Sequence, residues 1–500
     1  MKTKAVLFIA AAALITGCSS GTVPQSSPVS SETPSGGDMT TSAEASTREE
    51  GEEIVLTMAC MTEPWDTMKQ RINEFNAEDN GIRIEIKSYG SNTDDDGMPH
   101  GFTDDELTQI DFQVTQDLLN SEDIDLVGPF SFGNGAKFEI FKRKGGFVDL
   151  YKFMENDPDV NTETLNKHIL ELCEREGRLY SIPTHYWAKT LIGKSEYVGK
   201  QQNWTIDEFI DRWETMPEGS TVNGSINAEN IYYDVLRANT PSFVDYAECQ
   251  VHFDDPDFRK MLEFCNTFPS NSGQKGEYDY NGDAMVHVEY VNSYQAGLIS
   301  EMNFSNYESS SARLRDGDYT LVGFPSSDGS GAFLCGTGDI AIRSNISEEK
   351  QQAAWEFIRG FYTEEFQTDN YAFREEFPNP ESGETFVQYT FVEGFPINNA
   401  ARRNIAKNFI DEKYKGTVSD ITVQGNEVTQ LNDIKLEQAD CDFIDDYIAS
   451  IDRWEYSETD RSLFWIVEEE VLNYLSGGQD IDTAISMIQD RASIWLSEQA

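Results

Sequence analysis

The chain has 500 residues, of which 38% are apolar and 12% aromatic, enough for sizeable cores and for two or more domains. Asp and Glu number 89 against 38 Lys and Arg, a formal charge of −51 spread along the whole length. Such a surface repels phosphate backbones, which excludes nucleic acid as a partner and disfavours strongly anionic ligands outside a local basic pocket.

The chain opens with MKTKAVLFIAAAALITG, where Lys2 and Lys4 precede an apolar run from Val6 to Ile15. That run is too short to span and stay in a membrane, so residues 1–17 read as a signal peptide. Leu14-Ile15-Thr16-Gly17-Cys18 resembles the lipobox of bacterial lipoproteins. The resemblance implies a lipidated Cys18, with the protein held on the extracytoplasmic face of a bacterial cell membrane. Two or more acyl chains anchor firmly, at about 0.8 kcal/mol per buried methylene. Residues up to about 52 are Ser-, Thr-, Pro- and Gly-rich without apolar periodicity and read as a flexible tether over 18–52. No later run of about 18 apolar residues predicts a transmembrane helix.

Beyond the tether, Ile54 to Met58 predicts a buried strand, and Trp65, Met68, Ile72 and Phe75 a helix. Ile82, Ile84 and Ile86 alternate as a second strand. Leu107, Ile110, Val114 and Leu118 mark a helix, and Ile124 to Val127 a third strand. This alternation predicts a parallel α/β sheet, with ligands beyond the carboxyl ends of its strands. Leu165, Ile169 and Leu172 give a short helix. Gly177-Arg178-Leu179-Tyr180-Ser181-Ile182-Pro183 predicts a strand stopped by its proline, with His185, Tyr186 and Trp187 just behind. Lys189 to Gly193 predicts another strand, and Thr205 with Glu208 has the pattern of a capping box. A helix opens at Asp255-Pro256, strands are predicted at 319–324 and 339–343, and a helix starts at Ser347. The last hundred residues read as mainly helical. The six cysteines outside the leader are widely spaced, without a CxxC, and are expected to be mostly buried thiols.

Catalytic signatures are missing: no HExxH, GxSxG or Walker loop occurs. Gly336-Thr337-Gly338-Asp339-Ile340-Ala341 fits GxGxxA but precedes a strand, where a dinucleotide loop would open a helix. Asn92 to Gly97 resembles half a calcium loop, but Thr103 stands where the bidentate Glu belongs. Five scattered histidines make no zinc site. No cofactor or metal is expected.

Five stretches together resemble extracellular solute-binding proteins of family 1, the lipoprotein components of ABC importers that mostly carry sugars. They are Gly177 to Pro183, Asn203-Trp204-Thr205-Ile206-Asp207-Glu208-Phe209, Gly282-Asp283-Ala284-Met285, Ala353-Ala354-Trp355-Glu356-Phe357-Ile358, and Gly394-Phe395-Pro396-Ile397. The resemblance spans roughly residues 53–500 and implies a two-lobed, type II periplasmic-binding-protein-like α/β fold. Lobe one would hold 53–183 and 333–394, and lobe two 188–330 and 398–500. Hinge crossings would fall near 184–187, 325–335 and 394–398. It also implies a monomer that closes around a small solute and delivers it to permease subunits. The glycine–tryptophan pair common after the third motif is absent.

A sugar presents apolar C–H faces and a rim of hydroxyls, so its site needs aromatic rings with carboxylates or amides beside them. The ligand-binding candidates are Glu63 and Trp65 after strand one, Tyr89 after strand two and Phe130 after strand three. Tyr186 and Trp187 stand at the first crossing, and Glu289 and Tyr290 follow the third motif. Trp65 is in phase with Met68 and Ile72, which favours core, and His185 reads as structural. Two other functions share these features: a surface glycan-degrading hydrolase or lyase, and an adhesin or sensor on the same fold.

Overall fold

A computed structural model describes residues 53–499 apart from 62–65, 92–101, 121–122, 129–140, 143, 246–247, 277, 279–282, 301–310, 330, 379–384, 415–420, 424–425, 429–434 and 455–460. The expected leader, tether and Cys18 lie outside the described residues. So do the candidates Glu63, Trp65 and Phe130, and the Asn92 to Gly97 loop.

The strands that matter are β1 (Ile54–Cys60), β2 (Ile82–Ser88), β3 (Leu126–Val127), β4 (His185–Lys194), β5 (His287–Val291), β6 (Tyr319–Leu321), β7 (Phe333–Thr337), β8 (Ala341–Ile342) and β9 (Phe395–Pro396). The first sheet has the order β8-β3-β1-β2. Its β1 runs parallel to β2, with Ile54 opposite Ile82 and Cys60 opposite Ser88, and parallel to β3. Helices Asp66–Ala77 and Asp104–Asn120 form the crossovers, as the periodicity predicts. Met68, Ile72 and Phe75 are buried along the first of them. Asn76 on that helix clasps Ile84 of β2, donating to its carbonyl at 2.9 Å and accepting its N–H at 2.8 Å.

The second sheet is built on β4, which pairs antiparallel with β5, β6, β7 and β9. At its start, His185 faces Thr337 on one side and Pro396 on the other, and Tyr186 faces Gly336 and Phe395. The three segments expected as crossings are therefore hydrogen-bonded neighbours. The strand expected at 179–182 does not form. Those residues run as irregular, buried chain, and the strand begins after Pro183, which has no N–H to give a ladder. The strand expected at 319–324 stops at Leu321. Gly323, at φ 75°, turns its N–H onto Thr190 Oγ1 at 3.1 Å.

Because side chains alternate along a strand, β4 separates two cores. Tyr186, Ala188 and Ile192 enter a core shared with β1, β2 and helices Glu348–Arg359, Asn399–Ile410 and Gln438–Ala449. Leu191 and Trp187 face another, shared with helices Ile206–Glu214, Pro256–Cys265, Arg461–Leu475 and Ile481–Gln499. Residues beyond 398 thus serve both cores. Thr205 and Glu208 form the predicted capping box, each side chain bonded to the other's backbone N–H. Cys265 and Cys441 are buried thiols, as expected. No helix among the described residues is long and apolar enough to cross a membrane.

Candidate binding cleft

The cleft begins with an irregularity in the second core. After helix Ala228–Ile231 the chain widens into a π-helical turn, Tyr232–Leu236, then tightens into a 3-10 helix, Arg237–Phe243, that contains Pro241. Such register changes tend to sit at functional sites. Here they bring Asn239, Pro241, Ser242 and Phe243 to the wall of a cavity of about 600 Å³. That volume lies within the roughly 300–1,000 Å³ range of small-molecule sites.

Opposite stands Ser326-Ser327-Asp328, in the segment expected as a crossing, followed by Phe333 of β7. Asp452, Arg453 and Trp454 close the remaining side. These walls are tied together. Asn239 Nδ2 donates to the Pro325 carbonyl at 2.6 Å, and the Leu334 N–H to the Arg453 carbonyl at 2.8 Å. Arg453 also donates to Ser242 Oγ at 2.8 Å. Gly336 is glycine for a steric reason: a Cβ there would lie 2.7 Å from the Trp454 ring. The Asn203 to Phe209 motif supports the cleft without lining it through its tryptophan. Trp204 is buried and donates its indole N–H to the Gly323 carbonyl at 2.8 Å, while Ile206 reaches the cavity wall. A second cavity, of about 520 Å³, is lined by Asp159, Glu163, Glu364, Glu365 and Arg403 among others, with no aromatic ring.

The sequence candidates separate on this frame. Tyr186 is fully buried; its hydroxyl accepts from Asn166 Nδ2 at 2.9 Å and from the Arg402 guanidinium. The expectation that it emerges in the cleft is corrected: an even-numbered residue of β4 points into the first core. Trp187, its neighbour, points the other way, is half-buried on the second core and pairs with Cys335, two residues from Phe333. Glu289 and Tyr290 are likewise parted by the pleat of β5. Tyr290 is 47% exposed and stands beside Lys189, whose ammonium lies 5.8 Å from its ring and 5.7 Å from that of Phe333. Glu289 sits opposite Thr190 on the other face, where burial raises its carboxyl to about 7. None of these four is in the lining of the cavity. Tyr89 is remote from it: its hydroxyl donates to Asp117 at 2.9 Å, beside Lys87. His185 is buried, and burial lowers its imidazole to about 4, so it is neutral and structural.

Asn239, Phe243, Asp328 and Trp454 were not apparent as candidates. Ser326 to Gly329 reads as a turn and lies in the expected crossing, but a π-helical step has no sequence signature. Among the described residues no group of three or more His, Cys, Asp or Glu could hold a metal ion.

No family model matches the chain. No curated protein matches it in sequence. Solved structures do match in fold. An extracellular solute-binding protein family 1 member from Alicyclobacillus acidocaldarius is 11% identical, covering 90% of this chain and 100% of its own, with a TM-score of 0.48. The sugar-binding protein MalE from Xanthomonas citri is 10% identical, over 89% and 98%, with a TM-score of 0.49. A de novo designed esterase structure is 11% identical, over 89% and 99%, with a TM-score of 0.51. At these identities the likeness is one of fold alone.

Proposed function

We propose that this protein is an extracytoplasmic solute-binding lipoprotein. It captures a small solute, a mono- or oligosaccharide, between two lobes and hands it to the permease subunits of an ABC importer. Cys18 carries the lipid anchor. The observation that supports this reading best is the composition of the cavity beside the crossing segment 325–335. Phe243, Phe333 and Trp454 offer ring faces, and Asn239, Ser242, Ser326 and Arg453 offer hydrogen-bonding groups. That combination suits a ligand with both C–H faces and hydroxyls.

Lobe closure would use the neighbouring strand ends at His185, Thr337 and Pro396 as its hinge, since a few element-terminal residues can absorb the dihedral change. On closing, Trp187 and Tyr290 are the sequence candidates best placed to join the site, because they share the sheet face of Phe333.

A thermal-shift and calorimetric screen across glycans tests the reading, since a ligand that binds only the folded state raises Tm. Binding without turnover is expected, with affinity lost in Trp454→Ala. A peptide ligand in place of a glycan would overturn the sugar assignment, and release of product from a polysaccharide would replace capture with catalysis. Changing Cys18 to Ser should free the protein from membranes; continued membrane retention would refute the anchor.

A further inference from the structure

Beside the crossings expected from the sequence, the chain makes a further one near its end. Helix Gln438–Ala449 buries Cys441, Ile444 and Tyr447 in the first core, whereas helix Arg461–Leu475 buries Leu463, Val467 and Val471 in the second. The chain therefore passes from one core to the other after Ile451, itself still in the first. The start of this passage is tied on three sides. His168 Nε2 donates to the Ile451 carbonyl at 2.9 Å, the Leu334 N–H of β7 to the Arg453 carbonyl at 2.8 Å, and Arg453 to Ser242 Oγ at 2.8 Å.

Trp454 follows directly and touches two things at once. It lines the cavity with Leu172, which packs on the first core, and with Ile206, Phe243 and Phe333 of the second. Its six-membered ring also lies against the hinge. A Cβ on Gly336 would stand 2.7 Å from Trp454 Cζ2, 2.8 Å from Cη2 and 2.7 Å from Pro183 Cβ. Gly336 is opposite Tyr186 in the ladder, and Tyr186 is opposite Phe395, so the ring rests where the strand ends meet. Only the missing side chain lets indole, proline and strand approach so closely. Packing of this kind shifts between discrete arrangements and does not deform smoothly.

We propose that Trp454 is a positioning residue for closure: its ring, resting on Gly336 and Pro183, sets the open–closed balance of the hinge while it lines the cavity. This rests on the capture reading above and names the side chain through which that site is regulated. A dihedral change at Pro183 or Thr337 moves the floor under the ring. An occupant seated against the ring favours whichever state it contacts better, and biases the hinge by that difference alone. The coupling is reciprocal, so whatever shifts the hinge also shifts affinity.

The test is a pulsed spin-label distance measurement on the full mature chain without ligand. One label goes on the exposed Cys249, in a hairpin whose Val251 is in the second core. The other goes on Asn73→Cys, on the outer face of helix Asp66–Ala77 over the first core, with the half-buried Cys173 changed to Ser. Trp454→Ala removes the ring contact and should raise the population of the second separation at least about threefold. Trp454→Phe, which draws the ring back from Gly336, should shift it in the same direction, and it carries the test if Tm shows the alanine variant unfolded. Ile488→Ala, elsewhere in the second core, should leave the distances unchanged. Unchanged distances in the Trp454 variants, or an equal shift in Ile488→Ala, overturn the inference. Because the labels need no ligand, the two readings fail separately. A glycan that raises Tm while the Trp454 variants keep their distances leaves capture standing and removes this link. A shift in a protein that binds no glycan keeps the link and removes capture.

Discussion

The two faces of β4 carry adjacent residues of similar chemistry to different ends. On one face, Tyr186 is sealed in the first core, its hydroxyl held by Asn166 and Arg402 and its ring 6.1 Å from Phe395. On the other, Trp187 is half-buried beside Lys189, Phe333 and Tyr290. One step along a strand reverses a side chain, so neighbours in sequence are neighbours in space only across the ladder. Pairs such as Tyr186-Trp187 and Glu289-Tyr290 therefore cannot act on a ligand together from one side.

The largest effect should come from the sealed face. Tyr186→Ala should destabilise the protein by about 3–5 kcal/mol, the range for emptying a large core ring, measured by urea denaturation. A loss under about 1 kcal/mol would mean that the face is not core. Arg402→Met should destabilise by about 2–4 kcal/mol. It removes a buried guanidinium that also bonds Tyr294 at 3.1 Å and lies 4.7 Å from the Phe395 ring centroid.

Stability should also depend on pH through buried groups on both faces. Glu289 is raised to about 7 by burial, above the roughly 4.3 of an unfolded chain. The native state then holds the extra proton, so stability from this group is lost as pH rises from about 4.3 to about 7. His185, on the Trp187 side, is lowered to about 4 from roughly 6.5, so its contribution is lost as pH falls through that window. Each term is on the order of 1–3 kcal/mol. Glu289→Gln should remove the first slope and leave the second, and His185→Asn should weaken the second, the remainder belonging to His287, which burial also lowers to about 4. Identical profiles for the two variants would show that neither group titrates as its burial demands.

The smallest stability effect belongs to the open face. Trp187→Ala should destabilise by about 1–2 kcal/mol, because the indole already keeps part of its surface in water. If glycan affinity falls with it, Trp187 joins the site on closure; if only stability falls, it is packing for the second core.

Much of the fold could be read from period alone. The Ile54 and Ile82 strands, the helices through Met68 and Leu118, and the Thr205 capping box are local patterns, and each forms near its expected place. The stretch 179–182 misled because a buried apolar run has the same sequence signal whether or not its N–H groups join a ladder. The Trp204 motif was legible, but its tryptophan serves packing.

By itself, then, the sequence determined the alternating α/β pattern, the acidic surface and the expectation of an exported, anchored chain, because composition and periodicity are local properties. Only the tertiary structure decided which aromatics meet a cavity. Asn239, Ser326, Phe333 and Trp454 come from four separate segments, and what unites them is the packing of the 3-10 helix, the crossing, β7 and the 452–454 segment, where Trp454 bridges to Leu334. Long-range hydrogen bonds fix that packing, and no window of sequence contains both ends of them.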